Sequence, residues 1–426
     1  MSTQAQAVIG ALYGDEGKGL MVDRLAAATP GAVVVRSNGG AQAGHTVVDP
    51  AGVRHVFHHI GAGSFAGAAT HFSRFFVAHP MLLLDELTAL GQLDVEPEIS
   101  SDPRAPVTTP FDVIINQALE LARGTARHGS CGLGFGETIE RNLRPEFALS
   151  TKDLFRPDLH ARLVSIRDAW VPVRLAALGI TALPAELAAA LADDITTARF
   201  EADCAAYLDR AALWPDRRLC ERGPVIFEAA QGLELDQDRG VFPHVTRSNT
   251  GLANMLAISV EAGITELAAT YATRCYTTRH GAGPLKGEVP ALSGINIVDP
   301  TNAPNEWQGT LRLAPLDLDT LRQAIARDLT LDRGGITIRG GLAVTCLDQA
   351  EDGFAITDHG EAIRLDPAEA ASEIADLAGL PLWAESWGPR RGEVRLRMDA
   401  AAAGTTAKKE PARQCRRAPI QLEKRA

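Results

Sequence analysis

The chain carries its most informative segment close to its start: Val8-Ile9-Gly10-Ala11-Leu12-Tyr13-Gly14-Asp15-Glu16-Gly17-Lys18-Gly19. A short apolar run ends at Gly10, a glycine-rich turn follows, and an apolar pattern of helical spacing begins after Lys18. This order predicts a strand, a loop and a helix, which together point backbone N–H groups and a helix N-terminus at an anion. The closest general motif is the P-loop, G-x-x-x-x-G-K-[ST]. We therefore predict a P-loop-like nucleotide loop.

The predicted loop differs from a P-loop in two respects. Six residues rather than four separate Gly10 from Gly17, and Lys18 is followed by Gly19 instead of serine or threonine. The hydroxyl group that holds Mg²⁺ in a P-loop is therefore missing. The longer loop adds two carboxylates, at positions 15 and 16. A carboxylate beside a triphosphate can bind the metal ion, act as a base, or do both.

The composition excludes several classes of protein. The chain has 426 residues, of which 46% are hydrophobic and 22% charged, as in ordinary soluble globular proteins. A net charge of −11 argues against a nucleic-acid partner. Six cysteines without C-x-x-C spacing predict reduced thiols and a cytoplasmic protein. We expect no membrane span, because no apolar stretch is long enough, and no signal peptide, because Met1 leads almost directly into the first strand.

The loop resembles that of the adenylosuccinate synthetase family, which reads G-D-E-G-K-G. Five further segments follow the family in order, so that the resemblance covers most of residues 7–395. It implies an α/β fold with a mostly parallel central sheet in one domain, residues 1–399, and a homodimer. Helical periodicity predicts a helical insert at about residues 151–218. We expect residues 400–426 to form a flexible basic tail.

The resemblance also implies a reaction, in which GTP and Mg²⁺ drive the joining of aspartate to C6 of IMP. Asp15 would be the base, while His45 and Lys18 would stabilise the transferring phosphoryl group. Mg²⁺ would bind Asp15 and the carbonyl oxygen of Gly44. The residues assigned to the nucleoside triphosphate are Gly14, Glu16, Gly17, Lys18, Gly19, Asp348, Ser386 and Gly388. The residues assigned to the substrates are Gln42, Ser130, Cys131, Gln231, Thr246, Thr310 and Arg312.

Four of these segments depart from the family pattern. Gln42 stands where the family usually has asparagine, and Cys131 and Leu133 stand where it has threonine and arginine. The segment that ends at Arg312 is shorter than in the long form and has lost arginines that would bind aspartate. Cys346 replaces a lysine whose stem would cover the guanine base read by the nearby aspartate. The acceptor, the amine donor and the choice of GTP or ATP therefore stay open.

Three alternatives remain at this stage. The chain could act on IMP, or it could use another acceptor such as dGMP, as a phage relative of the family does. The presence of Asp15 favours an IMP-like acceptor. A regulatory paralogue without ligase activity is disfavoured, because such a protein would not need Asp15, Lys18, His45 and Gln231 together.

The roles of a histidine-rich segment and of two arginines stay open. Three histidines, His55, His58 and His59, lie within five positions and could bind a metal ion, but the resemblance implies a substrate-side loop. The family reaches an arginine across its dimer, and both Arg141 and Arg144 have a suitable position in the sequence.

Overall fold

The computed structural model describes residues 3–124, 130–297 and 310–397. The strands are β1 Gln4–Gly10, β2 Val33–Arg36, β3 His45–Val48, β4 Arg54–Phe57, β5 Ala69–Phe72, β6 Ile99–Ser101, β7 Ala211–Leu213, β8 Val225–Glu228, β9 Glu266–Arg274, β10 Tyr276–Arg279, β11 Arg312–Pro315, β12 Thr337–Thr345, β13 Phe354–Asp358, β14 Glu361–Leu365, β15 Leu382–Ser386 and β16 Val394–Leu396. The α-helices are α1 Lys18–Ala28, α2 Pro80–Gly91, α3 Pro110–Arg123, α4 Phe135–Asn142, α5 Leu159–Ser165, α6 Val171–Ala177, α7 Ala185–Ala192, α8 Asp194–Arg210, α9 Leu252–Ala262, α10 Leu318–Leu329 and α11 Pro367–Ala378.

Ten of the strands form one sheet in the order β16-β15-β12-β9-β1-β8-β2-β5-β6-β7. Neighbouring strands are parallel throughout, except that the edge strand β16 runs antiparallel to β15. Three antiparallel pairs, β3–β4, β10–β11 and β13–β14, lie outside this sheet. The prediction of an α/β fold with a mostly parallel central sheet is confirmed.

The central strands are apolar along their whole length because both faces of the sheet are covered. Every residue of β2 and β8 is buried, which is typical of parallel strands between two helical layers. Two hydrophobic clusters result, one on each face. Since parallel strands all end at the same edge, the loops after β1, β2, β8, β9, β12 and β15 meet there, where an open α/β sheet binds its ligands.

The segment from residue 151 to residue 218 is helical as far as Arg210, and includes a π-helical turn at Ile166–Trp170 between α5 and α6. The sequence did not predict the short strand that follows, β7, which extends the sheet beside β6. Residues 398–426, which contain the expected tail, lie outside the described residues. Within the described ranges, no helix is both long enough and apolar enough to cross a membrane.

Candidate active site

The loop after β1 turns sharply and folds around its own carboxylate. Gly14, Asp15 and Gly17 have positive φ angles of 92°, 57° and 83°, a region that glycine enters without steric cost. The side chain of Glu16 accepts hydrogen bonds from the N–H groups of Leu12, at 2.7 Å, and Gly14, at 3.2 Å. Two N–H groups of the loop therefore converge on one carboxylate, and converging N–H groups are the property that phosphate cradles share.

Glu16 and Lys18 meet over Gly10. A Cβ atom at Gly10 would stand 2.5 Å from Glu16 Oε2, 3.0 Å from Lys18 Nζ and 2.5 Å from the main-chain oxygen of Gln231, so only glycine fits there. Burial raises the pKa of Glu16 to about 8 and lowers the pKa of Lys18. An arriving triphosphate would supply the negative charge that a buried ammonium group lacks, so this arrangement favours an anionic ligand.

The departure at Gly19 has a steric cause. A Cβ atom at this position would stand 3.1 Å from His45 Cβ and 3.0 Å from the carbonyl oxygen of Thr46. A serine or threonine after Lys18, as in a P-loop, would push β3 away from helix α1. The glycine therefore removes the P-loop hydroxyl, and its small size allows His45 to pack closely against the start of helix α1.

His45 is buried and held by a carboxylate. Its Nδ1 lies 2.5 Å from Oε1 of Glu228, at the end of β8. The other oxygen of Glu228 accepts the N–H of Ala62 and lies 3.4 Å from Nη1 of the fully buried Arg36. Burial lowers the pKa of His45 to about 4, and Arg36 already balances the charge of Glu228. The histidine is therefore neutral at pH 7, with Nδ1–H on Glu228, which leaves Nε2 for a ligand.

Asp15 contacts residues at, or just after, the ends of β9 and β10. Its side chain is 28% exposed, and Oδ2 lies 3.9 Å from Nε2 of His280. Its main-chain carbonyl accepts a hydrogen bond from Nε of the buried Arg274. Burial raises the pKa of Cys131 to about 11, and the charge of Asp15 adds to the effect, so this thiol stays protonated near the carboxylate.

Two side-chain amides with buried, unpaired atoms lie around Gly39. Neither Oε1 nor Nε2 of Gln42 has a hydrogen-bond partner among the described residues, and the same holds for Oε1 of Gln231. Nε2 of Gln42 and Oε1 of Gln231 each lie 3.9 Å from the point where a Cβ on Gly39 would stand. Leaving a buried polar group unpaired costs about 1–3 kcal/mol, so we interpret the two amides as groups that bind a ligand.

The second glycine-rich loop is braced by one side chain. Asn116 on helix α3 forms hydrogen bonds with the hydroxyl of Ser130 and accepts the N–H of Gly134, at 3.0 Å. Ser130 in turn accepts the N–H of Gly132, at 3.2 Å. The loop thus leads from Ser130 and Cys131 into helix α4 in a fixed conformation.

The structure distinguishes the two arginine candidates after this loop. Arg141 is fully buried, and its guanidinium donates to Asp112 at 2.9 Å, to the carbonyl of Phe147 at 2.8 Å and to that of Val107 at 2.7 Å. A side chain bound in this way cannot reach a second subunit. Arg144 is exposed and remains the candidate.

The ends of β12 and β15 form a separate part of the site. Asp348 is exposed just after β12, and partial burial raises the pKa of its carboxyl group, with a further contribution from the charge of Glu393. The hydroxyl of Ser386 donates to the carbonyl of Gly388 at 2.8 Å. A Cβ at Gly388 would stand 2.4 Å from Glu393 Oε2, so a larger residue there would displace the Glu393 carboxylate.

The remaining assigned residues lie on the side of β10 and β11. The N–H of Thr246 donates to the carbonyl of Leu235 at 2.8 Å, which fixes the loop after β8. Arg312, the first residue of β11, forms an ion pair with Glu288. Thr310 is exposed, and most of the segment before it, residues 298–309, lies outside the described residues.

The three neighbouring histidines do not gather around a metal site. Glu86 accepts the N–H groups of His58 and His59, at 2.9 and 2.7 Å, and lies within 3.8 Å of the His55 ring. They therefore surround a buried carboxylate. Within the described ranges, one cluster has the spacing of metal ligands, Asp319, Asp358 and His359, and its two carboxylates are ion-paired to Arg322.

Sequence reasoning gave no role to four residues that the structure places in the site. Glu228 and Arg36 hold His45, while His280 and Arg274 contact Asp15. Each lies at the carboxyl end of a buried strand or just beyond it. A charged side chain that ends an otherwise apolar strand was the signal that could have identified Arg36 and Glu228.

These features define a class of protein, the α/β nucleotide-binding proteins whose central strand leads into a P-loop-like turn. Comparison with known proteins identifies the family. The model of the adenylosuccinate synthetase family matches residues 7–325. The chain is 34% identical over 297 residues to the adenylosuccinate synthetase of Anaeromyxobacter dehalogenans (strain 2CP-1), a match that spans 68% of this chain and 66% of that relative. It is 32% identical over 325 residues to the Psychrobacter sp. (strain PRwf-1) protein of the same name, which covers 75% of this chain and 73% of the relative.

Two solved structures share the fold. The fully ligated adenylosuccinate synthetase of Plasmodium falciparum superposes with a TM-score of 0.68 at 16% identity, covering 92% of this chain and 100% of that one. The succinoaminodeoxyadenylate synthetase of cyanophage S-2L, bound to dGMP and to dATP as an energy donor, gives 0.59 at 16% identity, covering 94% and 97%. The chain belongs to the adenylosuccinate synthetase family, a family of carbon–nitrogen ligases.

Proposed function

We propose that the chain is a ligase that joins aspartate to C6 of a 6-oxopurine nucleotide and uses GTP to activate the 6-oxygen. The observation that carries this proposal is the position of Asp15. Its partly exposed carboxylate lies within the phosphate-type loop, and the amide of Gln42 and Oε1 of Gln231, which are buried and unpaired among the described residues, lie on the loops after β2 and β8. A phosphate cradle, a base and two groups able to read a purine edge are what phosphorylation of O6 requires.

In the first step, Asp15 takes the N1 proton of the purine, and O6 attacks the γ-phosphorus of the triphosphate. The bond to the bridging oxygen breaks, so the nucleoside diphosphate leaves and a 6-phosphoryl purine forms. Lys18 stabilises the charge on the phosphoryl oxygens, and so does His45 once the bound triphosphate has favoured its protonation at Nε2. In the second step, the amine attacks C6 and loses a proton, and phosphate leaves with O6.

Mg²⁺ fits the same loop. Asp15 has a partly exposed carboxylate, and its ion-pair partner among the described residues is His280 at the long distance of 3.9 Å. We assign the ion to Asp15 and the carbonyl oxygen of Gly44, since Mg²⁺ prefers oxygen ligands and, when bound, neutralises charge on the triphosphate.

GTP is the proposed phosphoryl donor because Asp348 offers two acceptor oxygens, which match the adjacent N1–H and N2–H₂ donors of guanine. Cys346 cannot cover the base as a lysine stem would, so we propose a modest preference over ATP. Ser386 and Gly388 would line the other side of the base. We also propose a homodimer, with the exposed Arg144 reaching the partner's site.

A second candidate changes the acceptor. Gln42 and Cys131 stand where the family resemblance gives asparagine and threonine, and both lie at the proposed acceptor site. The cyanophage relative binds dGMP and dATP, so dGMP with ATP is the alternative pair.

The test is release of phosphate and formation of a C6-aminated product, with GTP or ATP, across IMP, dGMP and GMP, with and without aspartate. Release that needs both an acceptor and aspartate supports the ligase. Phosphate release that depends on neither the acceptor nor aspartate would contradict the ligase function. The absence of any phosphate release would also contradict it.

A further inference from the structure

Arg312 is fixed by main-chain groups on one side and by a carboxylate on the other. Its Nη1 donates to the carbonyl oxygens of Gly281, at 3.0 Å, and Gly283, at 2.8 Å. Its Nε donates to Oε1 of Glu288 at 2.8 Å, and its Nη2 donates to Oε2 of the same carboxylate. This two-point geometry is how a guanidinium recognises a carboxylate, whether from a side chain or from a ligand.

The arginine lies near the proposed base. Gly281, which accepts one of its hydrogen bonds, follows His280, whose Nε2 is 3.9 Å from Asp15 Oδ2. In the β10–β11 pair, Arg312 is directly opposite Arg279, whose guanidinium stacks on the Tyr13 ring at 4.6 Å. Two cations thus meet beside the loop that carries Asp15.

The ion pair between Arg312 and Glu288 is accessible, so another carboxylate could replace Glu288 on the guanidinium. The side chain of Arg312 is 24% exposed and that of Glu288 is 43% exposed, and ion pairs of this kind contribute little to stability. By contrast, the hydrogen bonds to the carbonyl oxygens of Gly281 and Gly283 would hold the guanidinium in place without Glu288. Between Lys286 and Arg312 the sequence has no lysine or arginine, so Arg312 is the single cation that this stretch offers to an anionic ligand.

We propose that Glu288 is a built-in competitor for the carboxylate of the amine donor, and that the donor binds by replacing the Glu288 carboxylate on Arg312. This inference rests on the proposed ligase function and adds a residue that lowers its affinity for the amine donor. The side chain of Glu288 occupies the donor's carboxylate subsite in the unliganded protein. Glu288 therefore weakens donor binding and does not affect acceptor binding.

The test is Glu288→Gln, which keeps the shape of the side chain and removes its charge. We expect the KM for aspartate to fall about two- to fivefold, the scale of a partly exposed ion pair, while the KM for the purine nucleotide stays the same. Glu221→Gln is the matched control, because Glu221 forms the same two-point contact with Arg218 on the surface, where the two side chains are 52% and 46% exposed. An unchanged or raised KM for aspartate in Glu288→Gln would overturn the proposal.

A binding measurement separates this inference from the proposed function. Titration calorimetry with succinate, a dicarboxylate without an amine, needs no turnover. We expect tighter binding to Glu288→Gln than to the unmodified protein, and weaker binding to Arg312→Gln. Equal affinity in all three proteins would overturn the inference. Tighter binding in a protein that releases no phosphate with any acceptor would overturn the ligase function and leave the competition at Arg312 standing.

Discussion

The hydroxyl of Thr345 donates a hydrogen bond to the main-chain carbonyl of Glu16, 3.2 Å away. This contact joins the end of β12 to the phosphate-type loop, and a Cβ at Gly17 would stand 3.0 Å from the Thr345 methyl group. Asp348 follows three residues later. The carboxylate that we propose to read the base is therefore close to the strand end that contacts the proposed phosphate loop.

Asp348→Ala tests whether Asp348 recognises the guanine base of the triphosphate. We expect the preference for GTP over ATP to shrink, because guanine loses the two acceptors that match its donors, whereas adenine loses nothing favourable. The KM of the acceptor should stay nearly unchanged. The measurement is kcat/KM for each triphosphate. Equal or better turnover with ATP in the unmodified protein would remove the guanine assignment.

Asp15→Asn tests the proposed role of Asp15 as the general base. An amide can neither take the N1 proton nor bring negative charge to Mg²⁺, so we expect phosphate release to be abolished while nucleotide still binds. Turnover and nucleotide affinity are measured on the same preparation. Turnover within about tenfold of the unmodified protein would exclude Asp15 as the base, given that such groups contribute about 10²–10⁴-fold.

His45 is expected to change its charge when nucleotide binds. Its pKa of about 4 keeps it neutral at pH 7, and a nearby triphosphate favours the protonated form, so the complex should take up protons. Calorimetry in two buffers of different ionisation enthalpy measures this uptake. His45→Asn should reduce it, since Lys18 can still take up a proton, and should reduce turnover about 10²–10⁴-fold, whereas the control His160→Asn, on an exposed histidine, should change neither. Proton uptake that is equal in His45→Asn and in the unmodified protein would contradict protonation of His45 on binding.

Gly19→Ser restores a P-loop residue and is expected to reduce activity. The new Cβ would stand 3.1 Å from His45 Cβ, so the histidine must shift relative to Glu228. Gly91→Ala is the control, because a Cβ there meets no atom within 4 Å. The variants are compared by kcat and by thermal unfolding. Full activity in Gly19→Ser would show that the position of His45 is not critical.

The sequence predicted the phosphate-type loop because its information is local. Glycines at positive φ, a lysine at the start of a helix and an apolar strand occupy one short segment. The same holds for the parallel sheet, whose buried strands are recognisable as continuous apolar runs. The helical insert predicted from periodicity contains one strand, β7, that the sequence did not reveal. This strand has only three residues, and its pairing with β6 is a tertiary contact.

Other features depend on contacts between distant segments. The support of His45 by Glu228 and Arg36 joins β3, β8 and β2, so no local pattern could reveal it. The burial of Arg141 is set by Asp112 on a different helix, and sequence spacing left Arg141 and Arg144 equivalent. The neutral state of His45 follows from burial combined with two nearby charges, which only the folded chain brings together.

The path of the purine 6-oxygen tests the proposed chemistry most directly. The acceptor that supports phosphate release, IMP or dGMP, is labelled at O6 with oxygen-18 and turned over with triphosphate, Mg²⁺ and aspartate, and the phosphate is analysed by mass spectrometry. If O6 attacks the γ-phosphorus, each released phosphate carries one oxygen-18 atom, in equal amount to the aminated product. Aminated product accompanied by unlabelled phosphate would contradict activation of the 6-oxygen and with it the proposed role of Asp15.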